Sequence, residues 1–513
     1  MLGVAPALTM GYLHYAMETT QPYDLLVVGG GINGTGIASH ASQAGLKVLL
    51  LEQGDLAGAT SSASSKLIHG GLRYLEQREF RLVRESLSER EVLLSMAPHL
   101  VWPLAFVLPH HDGLRPAWLI RLGLFLYDHL GGRERLPASY GINLRRHPWG
   151  GPIKPGFKRG FVYADCWADD ARLVVANAMQ CRELGGTVRT RTRMLEAHRE
   201  GRQWRVSVQT PDGGTTTVYA RALVNAAGPW VEKVLKGGLR LGARDSVKLV
   251  KGSHIVVPAL HDGPQAFILQ HRDGRIAFVL PYEQGYSLIG TTDVVHHGEP
   301  GEVACSDEEV SYLCQLVGEY FERPPQPVEV LWRYAGVRPL YDDQSDNPSA
   351  ITRDYTLRLD QGGAPVLSVF GGKLTTYRQL ARHALQHLKP YFERMQLPAQ
   401  SAVLPGGVMH GADFEAFYQE ACVRYGGLPA SLVYRLARQF GDRLMLVLGT
   451  ANSVAELGRH FGAELYECEV RYLMREEWAQ TADDILWRRT KRGLHMTASE
   501  RQGLADWLLA QAG

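Results

Sequence analysis

The chain has 513 residues, too many for one hydrophobic core, so two or three structural units are expected. Its 45% hydrophobic and 21% charged residues are those of a folded globular protein and exclude extensive disorder. Lys and Arg number 55 against 53 Asp and Glu, a formal charge of +2, which gives no broad basic surface for nucleic acid.

Residues 1–17 are apolar and carry no Lys or Arg, which makes a poor secretory signal. Met17 is a second candidate start, and residues 1–19 read as an extension that need not be ordered. Tyr23–Val28 is a short Leu/Val-rich run of the kind buried in a parallel sheet. Gly29, Gly31 and Gly34 follow as Gly-x-Gly-x-x-Gly, then Ile32–Gly45 at helical spacing, then a second buried strand, Lys47–Leu51. The glycines permit a tight turn, a close approach of pyrophosphate to backbone, and close helix–strand packing. The helix N-terminus offers free N–H groups to phosphate. Glu52, closing the second strand, is placed to accept from a ribose hydroxyl pair and disfavours NADP. Strand, turn, helix and acid together mark a dinucleotide site but leave FAD and NAD open.

The segment Ala59–Gly71 packs small hydroxyl residues, Lys66, His69 and glycines together, too polar for a core and suited to wrapping a pyrophosphate and approaching a flat ring. Glu79–Met96 has helical spacing, after which Pro98, Pro103, Pro109 and Pro116 predict irregular pieces. Leu114–Tyr127 mixes apolar residues with arginines and interfacial aromatics, the composition of a segment lying in a headgroup region. Ala171–Leu184 predicts a helix and Thr187–Met194 one alternating strand. Trp204–Gln209 and Thr215–Val218 flank a Pro-Asp-Gly-Gly hairpin signal. Ala222–Asn225 reads as a separate short strand running into the small-residue turn Ala226–Trp230.

Residues 247–294 alternate strand-like runs with Gly/Asp turns, predicting an antiparallel sheet. Phe370–Thr376 is a strand ending in Gly-Gly before the helix Thr375–Leu388, a second anion site of the strand–turn–helix kind. Beyond Pro405-Gly406-Gly407 helical patterns dominate. The basic run Arg488, Arg489, Lys491 and Arg492 is a candidate contact for anionic lipid. Cys166, Cys181, Cys305, Cys314, Cys422 and Cys468 are scattered and read as reduced thiols in a cytosolic setting, so no metal site is expected. No run of the ~18 apolar residues needed to span a bilayer is present.

Several long strings combine into a resemblance covering about residues 20 to 500. They are Val28–Gly36, Ala59–Tyr74, Lys251-Gly-Ser-His254, Gly290-Thr-Thr-Asp293, Gly336-Val-Arg338-Pro339, Thr352-Arg353-Asp354-Tyr355, Gly371–Tyr377 and the stretch from Asp483 to Lys491. Together they resemble the aerobic, respiratory FAD-dependent glycerol-3-phosphate dehydrogenases. The resemblance implies an α/β fold. A Rossmann-like FAD-binding domain of the glycine/D-amino-acid oxidase type is expected from 20–90, 155–235 and 355–398. An antiparallel-sheet substrate cap is expected from 91–154 and 236–354, and a helical C-terminal domain from 399–513. It implies non-covalent FAD, oxidation of sn-glycerol 3-phosphate to dihydroxyacetone phosphate, and electron transfer to a quinone. Peripheral, monotopic attachment to the cytoplasmic face of the inner membrane and a homodimer are implied as well.

Hydride transfer to a flavin requires a pinned substrate and a proton acceptor. The cations within the matched motifs, Arg73, Arg338, Arg353 and Lys373, are the candidate phosphate ligands, with Tyr74 beside Arg73. His254 is the favoured base because an ordinary imidazole titrates near neutrality. Arg338 resists deprotonation and is assigned to stabilising the developing alkoxide. The candidate FAD ligands are Gly29, Gly31, Ile32, Asn33, Gly34, Glu52, Thr60, Ser61, Ser62, Ser65, Lys66, Leu67, Ile68, His69, Gly70, Met194, Ala227, Gly228, Trp230, Gly372, Lys373, Leu374 and Thr375. The alternatives are an oxygen-using glycerophosphate oxidase, an amine or amino-acid oxidoreductase on the same FAD scaffold, and a non-catalytic, FAD-loaded membrane-associated protein.

Overall fold

The computed structural model describes residues 21–75, 79–111, 113–242, 245–271, 275–342, 354–399 and 402–512, with the backbone alone at Arg73 and Ala512. The expectations for residues 1–19, for Arg353 and for the Arg73 side chain lie outside the described residues.

The chain starts with β1 (Tyr23–Val28), α1 (Ile32–Gln43) and β2 (Val48–Leu51). β1 pairs in parallel with β2 on one side and with the end of the strand Thr215–Asn225 on the other. Every residue of β2 is buried, as a parallel strand covered on both faces requires. α1 packs against the helix Asp170–Glu183 and against Tyr377–Leu388. Their small and aliphatic residues form the largest core cluster.

Two sequence expectations change here. Ala222–Asn225 is not a separate strand. It continues Thr215–Asn225, whose first half is antiparallel to Gln203–Gln209 and whose second half is parallel to β1. The burial pattern shifts midway from alternating to continuous as the strand passes from a hairpin into the covered sheet, and that shift looked like a break. Conversely, Thr187–Met194 is two strands. Thr187–Arg189 pairs with β2, Arg193–Glu200 pairs with the hairpin, and Arg191 between them has φ +51°.

The second sheet holds the antiparallel strands expected within 247–294, Val247–Pro258, Ile276–Tyr282 and Tyr286–Gly290, and adds Trp332–Tyr341. Val101–His110 joins it as a ten-residue strand despite Pro103 and Pro109. One neighbour, Arg159–Ala168, pairs along its whole length, but the other pairs only at Phe106 and Val107. The prolines therefore lie where one edge of the strand is open, the position that tolerates a missing N–H. The tail of the chain forms the helices Phe414–Arg424, Ala430–Phe440, Glu467–Glu476 and Ala498–Ala512 around a separate core that includes Leu432, Phe440 and Leu473.

Candidate active site

A cavity of about 800 Å³ is lined from both sheets. At one end stand Gly29, Gly31, Ile32 and Asn33, the turn from β1 into α1. Gly29 has φ +113°, and a Cβ there would lie 2.5 Å from the Ala226 carbonyl oxygen. Gly34 faces the strand rather than the cavity, since a Cβ on it would sit 1.9 Å from the Gly29 oxygen. The Ile32 N–H donates to Ser61 Oγ at 3.0 Å, and the first turn of α1 carries no acidic residue. Its positive end is thus open to an anion.

Glu52 lines the same end. Its Oε2 accepts from the Gly30 N–H at 2.6 Å and its Oε1 from the Gly54 N–H at 2.7 Å. Burial raises the Glu52 carboxyl above its ordinary value, although these N–H groups oppose the shift. The donor turn, the acid at the strand end and the long apolar-and-polar cavity fit FAD. Asn33 donates from Nδ2 to the Gly371 oxygen at 3.2 Å, tying the first glycine turn to Gly371-Gly372, where φ is +78° and +94°.

The same cavity also carries cations and rings. Arg338 donates from Nη1 to Asp293 Oδ1 at 2.6 Å and from Nη2 to Thr291 Oγ1 at 2.8 Å. Its guanidinium has room only because residue 252 is glycine, where a Cβ would lie 2.4 Å from Nη2. Gly252 is paired with Gly336, whose own close neighbour is Ala63 of the serine segment. Thr60 Oγ1 donates to the Val337 oxygen at 2.6 Å, so this segment is fastened to the strand that carries Arg338. Lys373 Nζ lies 5.0 Å from the centroid of the Tyr74 ring. His69 packs edge-on to Phe278. Burial, with Lys373 and Arg90 nearby, lowers the His69 imidazole to about 3, so it is neutral at physiological pH.

Behind the cavity wall Asp165 is buried among donors. Arg90 Nη1 and the Tyr127 hydroxyl each reach it at 2.8 Å, and the Gly70 N–H reaches Oδ1 at 3.3 Å. The same N–H donates to the Tyr127 oxygen at 2.8 Å. This cluster holds the backbone of the Ser61–Tyr74 segment from below.

The structure brings most of the candidate residues together. Gly29, Gly31, Ile32, Asn33, Glu52, Thr60, Ser61, Ser65, Leu67, His69, Met194, Ala227, Gly228, Trp230, Gly372, Lys373, Leu374 and Thr375 line the cavity, as do Tyr74 and Arg338. Others stand behind it. Gly34 packs on β1, and Ile68 is core. Gly70 is held by Tyr127, and the Ser62 hydroxyl turns back to the Ala59 oxygen. Lys66 is buried in an ion pair with Asp170 at 2.7 Å, because an ammonium inside the fold needs a carboxylate.

His254 also stands back from the cavity. It is 1% exposed and stacks on Tyr334, and its Nε2 lies 2.9 Å from Ser65 Oγ. Burial, reinforced by Arg338 and Lys66, lowers its imidazole well below the ordinary value. Several lining residues were not singled out in the sequence. Thr192 and Arg193 arise from the unforeseen strand break, and Phe278 from a strand read only as part of a sheet. Thr291 and Asp293 lay in a matched motif; an acid three positions after a strand-end glycine was the available signal for a partner to Arg338.

Comparison with known proteins agrees with this geometry. Residues 24–378 match the family model described as FAD dependent oxidoreductase, and residues 399–505 match the C-terminal domain of alpha-glycerophosphate oxidase. The chain is 52% identical over 96% of its length to the aerobic glycerol-3-phosphate dehydrogenase of Escherichia coli, covering 98% of that protein. It is 49% identical over 96% of its length to the D-erythritol 1-phosphate dehydrogenase of Brucella abortus, again covering 98% of that protein. The solved glycerol-3-phosphate dehydrogenase of Bacillus halodurans, complexed with FAD, superposes with a TM-score of 0.74 at 24% identity. That likeness covers 96% of this chain and 94% of the other and bears on the fold. The chain belongs to the FAD-dependent oxidoreductase family, in its glycerol-3-phosphate dehydrogenase branch.

Proposed function

We propose that the chain oxidises sn-glycerol 3-phosphate to dihydroxyacetone phosphate, with non-covalently held FAD as hydride acceptor and a membrane quinone as the final one. The observation that carries this reading is that Arg338, Lys373 and Tyr74 line the same cavity as the glycine turn and Glu52. A phosphate dianion suits a guanidinium fork whose other donors are already oriented by Asp293 and Thr291. FAD, when bound, supplies the two-electron acceptor for the hydride leaving C2 of the alcohol. The hydroxyl proton leaves in the other direction. Ser65 lines the cavity and His254 lies behind it, so the imidazole reaches the substrate only through the Ser65 hydroxyl. In this reading Ser65 takes the substrate proton as its own passes to Nε2, a weak acceptor because burial, Arg338 and Lys66 disfavour the imidazolium, while Arg338 stabilises the developing alkoxide.

A second substrate has support from one relative. The Brucella abortus protein is named for D-erythritol 1-phosphate, a longer alcohol with the same phosphate handle. Anaerobic titration of the purified protein with each alcohol, following flavin absorbance, separates the two. Bleaching by glycerol 3-phosphate at the lower concentration supports the first reading. Bleaching by erythritol 1-phosphate alone replaces it, and bleaching by neither rejects both. Reoxidation by a quinone analogue without peroxide formation distinguishes a dehydrogenase from an oxidase.

Attachment to the cytoplasmic face of the inner membrane fits the helix Ala117–Leu130. Trp118, Leu122, Phe125 and Leu126 form one exposed stripe, with Trp118 68% exposed. No helix among the described residues is long and apolar enough to cross a membrane, so the attachment proposed is peripheral. The expected lipid contact at Arg488, Arg489, Lys491 and Arg492 does not fit the structure. Arg489, Lys491 and Arg492 are buried, and Arg488 is bound to Asp55 and Asp484. A homodimer remains part of the proposal.

A further inference from the structure

The basic run near the C-terminus turns inward and meets the loops that carry Glu52 and Thr192 to the cavity. Arg489 is 1% exposed and forms a two-pronged pair with Asp55, Nη1 to Oδ2 and Nη2 to Oδ1, each 2.8 Å. Arg488 Nε adds a third bond to Asp55 Oδ2 at 2.6 Å, and its Nη2 holds Asp484. Asp484 in turn accepts from Arg191 at 2.6 Å. Burial raises the Asp484 carboxyl, but backbone donors and the two arginines more than offset it and hold it at about 2.

Both arms end on the same short loop. Asp55 follows Gly54, whose N–H donates to Glu52 Oε1. The Gly54 carbonyl accepts from the Arg191 N–H at 2.8 Å, and the Glu52 carbonyl from the Thr192 N–H at 2.8 Å. Glu52, Gln53, Thr192 and Arg193 all line the cavity. Arg191 has φ +51°, and its side chain is the one that crosses to Asp484. A bidentate guanidinium–carboxylate pair without water is directional and fixes the orientation of both partners.

We infer that Arg488 and Arg489 are positioning residues for the cofactor. Through Asp55, and through Asp484 and Arg191, they set the loop that orients Glu52 and so tune the affinity for the adenosine half of FAD. The C-terminal helical unit would then be part of the cofactor cradle although none of its described residues lines it. The inference rests on the family's use of FAD and is independent of which alcohol is oxidised.

The test is FAD and ADP titration of the full-length apoprotein, unaltered and as R488Q, R488K and R191Q, with the melting temperature of each apoprotein measured alongside. ADP reports the adenosine half alone. R488Q and R191Q should weaken FAD and ADP by the same factor, about tenfold, as expected for loss of a charge-assisted hydrogen bond that orients a ligand. R488K should recover most of the affinity, and the flavin absorption bands of loaded variants should be unshifted. R191Q changes no residue of the C-terminal unit and leaves Asp484 its bond from Arg488, so it serves if R488Q fails to fold. A lower melting temperature with unchanged FAD and ADP affinity would mean a purely structural clamp and overturn the inference. Weakened FAD with unchanged ADP would overturn it too.

Discussion

Arg338 owes its place to its neighbours. Gly252 leaves it space, and Asp293 and Thr291 take up donors on its fork. R338A should raise KM and lower kcat together, with kcat/KM falling on the order of 10²-fold or more; R338K should recover little, because an ammonium lacks the planar fork. An unchanged kcat/KM would remove Arg338 from the site. The Ser65–His254 contact makes a separate prediction about additivity. If the proton passes through the pair, S65A, H254N and the double variant should lower kcat by similar factors, since each breaks the same path. Losses that multiply in the double variant would show independent roles. His254 shows where sequence reading stops. Its motif pointed to function, but whether an imidazole in a strand meets a cavity or a serine behind the wall depends on pairing with Tyr334 and stacking on it, which a single strand does not encode.

At the scale of elements, the glycine turn after β1 was legible because its requirements are local: a strand, a left-handed glycine and a helix start. The ten-residue strand through Pro103 and Pro109 was not, because its open edge is set by where a strand more than 150 residues later stops pairing. The helix Ala117–Leu130 has two faces with different tasks. Outward it carries Trp118, Leu122 and Phe125; inward it carries Tyr127, bonded to Gly70 and Asp165. Replacing Trp118 and Phe125 together by serine should abolish sedimentation with anionic vesicles and leave reduction of a soluble dye intact. Retained sedimentation would move the membrane contact elsewhere. Y127F removes the hydroxyl that bridges the buried Gly70 N–H and the Asp165 carboxylate, leaving the N–H a single 3.3 Å contact and the carboxylate to Arg90 and that N–H, at a cost of about 1–3 kcal/mol read from denaturant midpoints. It should also raise KM, because the loop it supports runs on to Tyr74; unchanged KM would confine Tyr127 to stability.

For the molecule as a whole, stability should depend on pH through histidines kept neutral inside the fold. Burial lowers His40 to about 4 and His69 to about 3, and His495 is lowered to about 4 by burial and Arg492. In the unfolded chain each returns to its ordinary value near 6.5. Above that value neither state binds the proton and the stabilisation is complete. As pH falls from about 6.5 toward 4, the unfolded chain takes up protons that the fold refuses, and the melting temperature should drop. A flat profile over that window would mean that these rings are solvated. The overall class was readable because glycine turns and strand runs recur at matching places in the sequence, whereas the inward turn of the basic C-terminal run was not. Composition alone describes Arg488 and Arg489 as a solvated face. Asp55, 434 residues earlier than Arg489, makes the burial of Arg489 possible, and Asp55 with Asp484, one turn away, holds the half-buried Arg488.

The cavity draws its walls from Val28 through Thr375. During synthesis, a growing polypeptide therefore has no complete flavin pocket until nearly three quarters of it has left the ribosome. If the Asp55 clamp matters as inferred, the wait extends to Arg489. Chains that end before Thr375 lack part of the flavin pocket, and chains that end between Thr375 and Arg489 would hold FAD more weakly.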